Sequence, residues 1–153
     1  MSSALENNLC RLHQRRYGVS VASGTIGLAL GLTLLGLSQK RVAVPSGVCL
    51  NVPLAVDIAD AVPVYCDIDP GTLGLSAKTL QAVASPIHGV IAVHAYGMPC
   101  AINEIDSYCR SQGVPLIEDV AVAQGAVAGN RPAGSFGVLS VLSFGRGKII
   151  DVG

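Results

Sequence analysis

With 153 residues and a formal net charge of zero, the chain carries no basic stripe, and its 4% aromatic content includes no Trp; both features argue against a nucleic-acid partner. Charged residues are only 13% and apolar residues 50%, which fits a single domain whose elements are buried on both faces or meet partner chains. Cys10, Cys49, Cys66, Cys100 and Cys109 form no C-x-x-C pair and no histidine-flanked metal spacing, so reduced thiols and no metal site are expected.

In chain order, residues 3–17 read as a helix with Leu5, Leu9 and Leu12 on one face, ended by Gly18. No signal-peptide pattern precedes it, because Glu6, Arg11 and Arg16 interrupt the apolar residues. After a short apolar piece at 19–22, Ser23-Gly24-Thr25 opens a second segment, 25–37, that is apolar nearly all round and predicts a buried helix. This run is broken by glycines and too short to span a bilayer, so no membrane partner is expected and a cytoplasmic location follows. Strands are predicted at 42–45, 62–66, 89–93, 114–118 and 138–142. Helices are predicted between the first four of them at 52–60, 76–84 and 101–112, with Pro53 in a first turn, Ser76 as a cap and Gly113 as a stop. Short strands alternating with helices predict an α/β fold, three-layer α/β/α, around a mostly parallel sheet.

Ligands in such sheets lie outside the carboxyl ends of the strands, where three features fall. Ser23-Gly24-Thr25 at a helix start offers backbone N–H groups and a hydroxyl to an anion such as phosphate, although an ordinary serine cap reads the same way. Asp119 ends an apolar strand, where an unpaired carboxylate is costly and tends to protonate; this implies a cationic partner, either an Arg or Lys or the protonated nitrogen of a cofactor ring. In Ser143-Phe144-Gly145-Arg146-Gly147-Lys148, glycines flank a lysine that is either presented to a bound group, as in imine formation, or simply solvated.

Familiar motifs fail. Leu142 occupies the place of the first P-loop glycine and Ile149 that of the Ser or Thr after Lys148, while Ile150 replaces the third glycine of a dinucleotide fingerprint. No G-x-S-x-G elbow occurs. Asp67 and Asp69 read as turn residues rather than metal ligands, and His94 as a hydrogen-bonded histidine in a turn.

Taken in order, Ser-Gly-Thr, Val-Pro-Ser (44–46), Val-Tyr-Cys-Asp-Ile-Asp-Pro (64–70), Val-His-Ala-Tyr-Gly-Met-Pro (93–99), Ile-Glu-Asp (117–119) and Ser-Phe-Gly-Arg-Gly-Lys (143–148) resemble the DegT/StrS-type sugar aminotransferases, which are fold-type-I pyridoxal-phosphate enzymes. The resemblance implies that Lys148 carries pyridoxal 5'-phosphate covalently and moves a proton during the reaction. It also implies that Asp119 pairs with the cofactor's ring nitrogen, and that Gly24, Thr25 and Ser143 hold its phosphate. Such proteins move an amino group, usually from glutamate, to a keto group on a nucleotide-linked sugar, for polysaccharide or glycoside biosynthesis, and act as homodimers.

Two positions depart from the pattern. Val122 stands where a Gln or His commonly lies near the ring hydroxyl, and Cys49 where an aromatic residue often stacks on the ring. Length is the third departure. The resemblance implies that residues 1–153 are the N-terminal portion of a cofactor-binding large domain, without the small C-terminal domain that helps hold substrates. A catalytically inactive fragment, or an α/β interaction module that keeps only the fold, is the competing expectation. The sugar, the carbon aminated, and transamination against dehydration are left open.

Overall fold

A computed structural model describes residues 3–151. Helix α1 (Ala4–Leu12) starts in a capping box: Ser3 accepts from the Glu6 N–H, and Glu6 reaches back to the Ser3 N–H. It ends five residues earlier than expected from its pattern. His13 and Arg15 are drawn out of the helix into hydrogen bonds with residues 133–137, and Gln14 between them takes a left-handed φ of 52°. No residue of α1 is buried, and Leu5 and Leu12 are exposed.

Helix α2 (Gly24–Leu34) is capped by the Ser23 hydroxyl, which accepts from the Ile26 N–H at 3.2 Å. It too stops short of the predicted end. Gly36 adopts φ 69°, the Leu37 N–H returns to the Leu32 carbonyl, and the Gly36 N–H returns to that of Thr33, which together close a Schellman turn. Strand β1 (Arg41–Pro45), α3 (Asn51–Ile58) and β2 (Val62–Cys66) follow, with Asp60 playing the left-handed role after α3 that Gly36 plays after α2. Helix α4 (Ala77–Gln81), capped by Ser76, leads to β3 (Gly89–Val93), a 3-10 turn (Ala95–Gly97), α5 (Ile102–Gln112) and β4 (Leu116–Asp119). A small antiparallel hairpin, β5 (Val127–Ala128) with β6 (Arg131–Pro132), was not foreseen; strands of two residues carry too little alternation to read. The last strand is β7 (Leu139–Val141).

Five strands form one parallel sheet in the order β2-β1-β3-β4-β7. Side chains alternate across it. Val42, Val44, Ile91 and Ile117 join Leu28, Leu32, Val52 and Val56 of α2 and α3 in one core. Ala43, Val90, Ala92 and Leu116 join Leu80 of α4 and Ile102, Ile105 and Cys109 of α5 in another. The result is the expected three layers, α2 and α3 on one face, α4 and α5 on the other. Leu32, fully buried, contributes roughly 2–3 kcal/mol by leaving water. All five cysteines are free thiols, three of them buried. Among the described residues no helix is long and apolar enough to cross a membrane.

Candidate active site at the carboxyl ends of β4 and β7

Register places the site. Val93 lies opposite Asp119 and Asp119 opposite Val141, so His94, Asp119 and Ser143 leave neighbouring strands at one rim.

Asp119 is 8% exposed. Its Oδ1 accepts the Ala121 N–H at 2.9 Å, and it makes no ion pair among the described residues. Burial pushes its carboxyl above the ordinary aspartate range; the Ala121 N–H, the Lys148 charge and His94 pull the other way without cancelling the shift. Lys148 is therefore near enough to act on Asp119 through space while lying beyond ion-pair distance. A half-buried residue, it sits in a turn where its N–H donates to the Gly145 carbonyl at 3.1 Å, and the Gly147 N–H is held by the Asp151 carboxylate at 2.8 Å.

The start of α2 faces the same rim. Ser23 spends its hydroxyl on the Ile26 N–H and its carbonyl on the Gly27 N–H, so the Gly24 and Thr25 N–H groups are left without a partner among the described residues. A Cβ placed on Gly24 would stand 3.7 Å from the Ser143 Cβ and 3.9 Å from its hydroxyl oxygen. The start of α2, with its two open N–H groups, thus lies beside the Ser143 side chain. Val122 is half-buried and Cys49 exposed, and neither adds a polar group to the rim.

Glu118 is the feature that the sequence did not disclose. It is fully buried beside Asp119, and five donors satisfy it. Oε1 accepts from the N–H groups of Phe136 (2.6 Å) and Gly137 (3.0 Å) and from Arg15 Nη2 (3.2 Å); Oε2 accepts from the Gly134 N–H (2.7 Å) and His94 Nε2 (3.1 Å). Burial alone would raise its carboxyl, but the His94 hydrogen bond and the N–H groups of Gly134 and Gly137 outweigh it and hold the group below the usual glutamate range. His94 Nδ1 accepts the Cys100 N–H at 3.2 Å, which places the ring proton on Nε2, the atom that faces Glu118. The histidine expected in a turn is hydrogen-bonded, and it serves the strand. Its backbone N–H also donates to the Asp119 carbonyl at 3.0 Å. His13 and Arg15 stitch the chain before α2 to the carbonyls of Ala133, Gly134 and Gly137. Nothing local in the sequence marks this cluster: its members come from residues 13 to 137 and meet only through the sheet.

Asp69 makes a turn, its Oδ1 accepting the Gly71 N–H at 2.8 Å, and no cluster of metal-ligating side chains occurs among the described residues.

Comparison with known proteins places the chain in a family. The whole chain, residues 1–153, matches the DegT/DnrJ/EryC1/StrS aminotransferase family. It is 31% identical over 150 residues to the GDP-perosamine synthase of Escherichia coli O157:H7, covering 97% of this chain and 41% of that protein. The fold superposes on an aminotransferase from Psychrobacter cryohalolentis with a TM-score of 0.92 at 27% identity, over 97% of this chain and 38% of that one. The NtdA protein of Bacillus subtilis, solved with bound cofactor PMP, gives a TM-score of 0.83 at 26% identity, over 91% and 32% respectively. The chain thus spans less than half the length of these relatives. With the family matched from end to end and the fold shared, the chain belongs to the DegT/DnrJ/EryC1/StrS aminotransferase family.

Proposed function

We propose that residues 1–153 are the N-terminal portion of the pyridoxal-phosphate-binding large domain of an aminotransferase. The enzyme moves an amino group from an amino acid, glutamate being the expected donor, to the keto group of a nucleotide-linked sugar; the donor leaves as its keto acid. Family membership supports the reaction class. Relatives named as a GDP-perosamine synthase and as a protein holding PMP support the substrate class and the cofactor.

The observation that carries the reading is Asp119, a buried carboxylate with a raised proton affinity and, among the described residues, one side-chain hydrogen bond and no ion pair. Such a group is unfavourable unless a cation is brought to it, and a protonated ring nitrogen is one. The open N–H groups of Gly24 and Thr25 at a helix start, with Ser143 beside them, match a phosphate. The residues present therefore fit pyridoxal 5'-phosphate. When bound, that group supplies a carbonyl carbon reactive toward amines and a ring that takes up an electron pair. In this reading Gly24, Thr25 and Ser143 would hold the phosphate, and Asp119 would face the ring nitrogen and keep it protonated. Lys148 Nζ would be the point of covalent attachment and, once released from it by the incoming amine, the group that holds the proton taken from the donor's Cα.

A homodimer belongs to the same proposal. On α2, Ile26, Leu30 and Leu34 recur every four residues on one exposed face, and Leu50, just before α3, does the same with Leu54 and Ile58 on it. Two packed helices with apolar outer stripes support burial against another surface.

Adding pyridoxal 5'-phosphate to the protein should produce the absorbance of a lysine-bound cofactor, and Lys148→Ala should abolish it. An unchanged spectrum in that variant would sink the assignment of Lys148. A chain that folds stably and ignores the cofactor would leave the interaction-module reading in its place.

A further inference from the structure

Gln124 is only 9% exposed, and the two ends of its amide fare differently. Nε2 donates to the Ser143 carbonyl at 2.6 Å, whereas Oε1 is shut off from solvent with no donor among the described residues. The orientation follows from chemistry: a carbonyl can only accept, so turning the amide would set two oxygens against each other. As a core filler Gln124 is a poor choice, because Leu or Met would occupy the space without an orphaned oxygen. Its value lies in the bond that it makes.

That bond joins two parts of the candidate site. The chain after β4 makes two successive turns, closed by the Ala123 N–H to the Val120 carbonyl and by the Ala126 N–H to the Ala123 carbonyl, both at 3.1 Å. The first turn is fastened to β7 by the Val120 N–H, which donates to the Val141 carbonyl at 2.9 Å. Gln124 adds a second fastening two residues further on, at Ser143, where the strand pairing has already ended. Asp119 stands at the root of this loop and is itself held by Ala121, while Ser143 packs against Gly24. The distance between the carboxylate and the phosphate-facing hydroxyl therefore depends on a side-chain bond.

We propose that Gln124 is a positioning residue for the phosphate end of the site: it holds the Ser143 backbone so that the Ser143 hydroxyl stays against the start of α2. The inference rests on the cofactor reading above, and its consequence is selective. Gln124 governs preference for the phosphorylated cofactor over its phosphate-free form and leaves the attachment at Lys148 and the pairing at Asp119 alone.

The test measures the affinity of the protein for pyridoxal 5'-phosphate, for pyridoxal, and for inorganic phosphate as a competitor, with Gln124→Met as the variant. Loss of one hydrogen bond should weaken pyridoxal 5'-phosphate and inorganic phosphate about five- to tenfold, with pyridoxal within about twofold of the parent. Equal losses for pyridoxal and its phosphate would reduce Gln124 to a general packing role and overturn the proposal, as would no loss at all. The two readings fail separately. A parent that forms no Lys148-dependent adduct, yet binds inorganic phosphate in a Gln124-dependent way, would refute the cofactor reading and keep the positioning role.

Discussion

Glu118 and Asp119 are consecutive residues of one strand, yet they sit on opposite faces of the sheet in opposite electrostatic states. Glu118 turns toward His94 and Arg15, where five donors satisfy it and His94 with the Gly134 and Gly137 N–H groups holds it below the usual glutamate range; Asp119 lies on the other face and is raised by burial. Strand alternation alone produces the division. One carboxylate is consumed by structure, and the other is kept available.

Asp119→Asn should stabilise the cofactor-free protein at neutral pH, because a carboxyl raised by burial costs stability when ionised. The Asn side-chain oxygen can still accept the Ala121 N–H. The sign is specific: in the parent this cost is relieved as pH falls through the raised folded value toward the unfolded one, and the variant lacks that relief. Thermal unfolding of both proteins between neutral and mildly acidic pH, with and without pyridoxal 5'-phosphate, checks it. The variant should gain less from the cofactor than the parent does.

For Glu118→Gln the expectation is reversed. Removing the charge from a buried, fully paired carboxylate should cost about 3–5 kcal/mol at neutral pH. A group held below its unfolded value stabilises the fold above that value, about 4.3, and the contribution fades as pH falls through the lower folded value. Denaturant titrations at a series of pH values should therefore show a weaker acid dependence in the variant. Parallel curves for variant and parent would show that Glu118 is not the group responsible.

Gly137→Ala should be among the most damaging small substitutions. Its Cβ would lie 2.8 Å from the Leu116 carbonyl carbon and closer still to that carbonyl oxygen, which is backbone and cannot rotate away. The Gly137 N–H also donates to Glu118, so any shift that relieves the clash loosens the buried network. A loss of about 3 kcal/mol or more by denaturant titration is expected, at the upper end of overpacking costs; a change below about 1 kcal/mol would mean that β4 and the chain entering β7 are less tightly apposed.

Charging the outer stripe of α2 and α3 separates assembly from folding. Leu30→Lys combined with Leu54→Glu changes two residues that are 47% and 48% exposed, so the folded monomer should lose no more than about 1 kcal/mol. If a second copy covers this surface, sedimentation should show the doubly substituted protein shifting from dimer to monomer. An unchanged dimer would place the contact elsewhere.

The alternation of apolar runs and caps was enough to read the α/β class, the five main strands and most helix starts, because these follow from nearest-neighbour chemistry: Ser76 caps α4, Gly113 ends α5, and β2 and β3 begin and end where their apolar runs do. The positions of Gly24 and Asp119 were legible for the same reason, Gly24 opening α2 and Asp119 ending β4. Helix α2 stops early in a local Schellman turn at Gly36, whereas long-range bonds decide the end of α1. Helix α1 ends at Leu12 because His13 and Arg15 have partners about 120 residues away. Side-chain partnership was decided the same way. In the sequence Glu118 and Asp119 are two adjacent acids, and Gln124 is one polar residue in a glycine-flanked loop. Only the register of β3, β4 and β7 brings His94 to Glu118, Ser143 to Gln124 and Lys148 toward Asp119. Burial energies and charge states depend on those partners, which local composition does not encode.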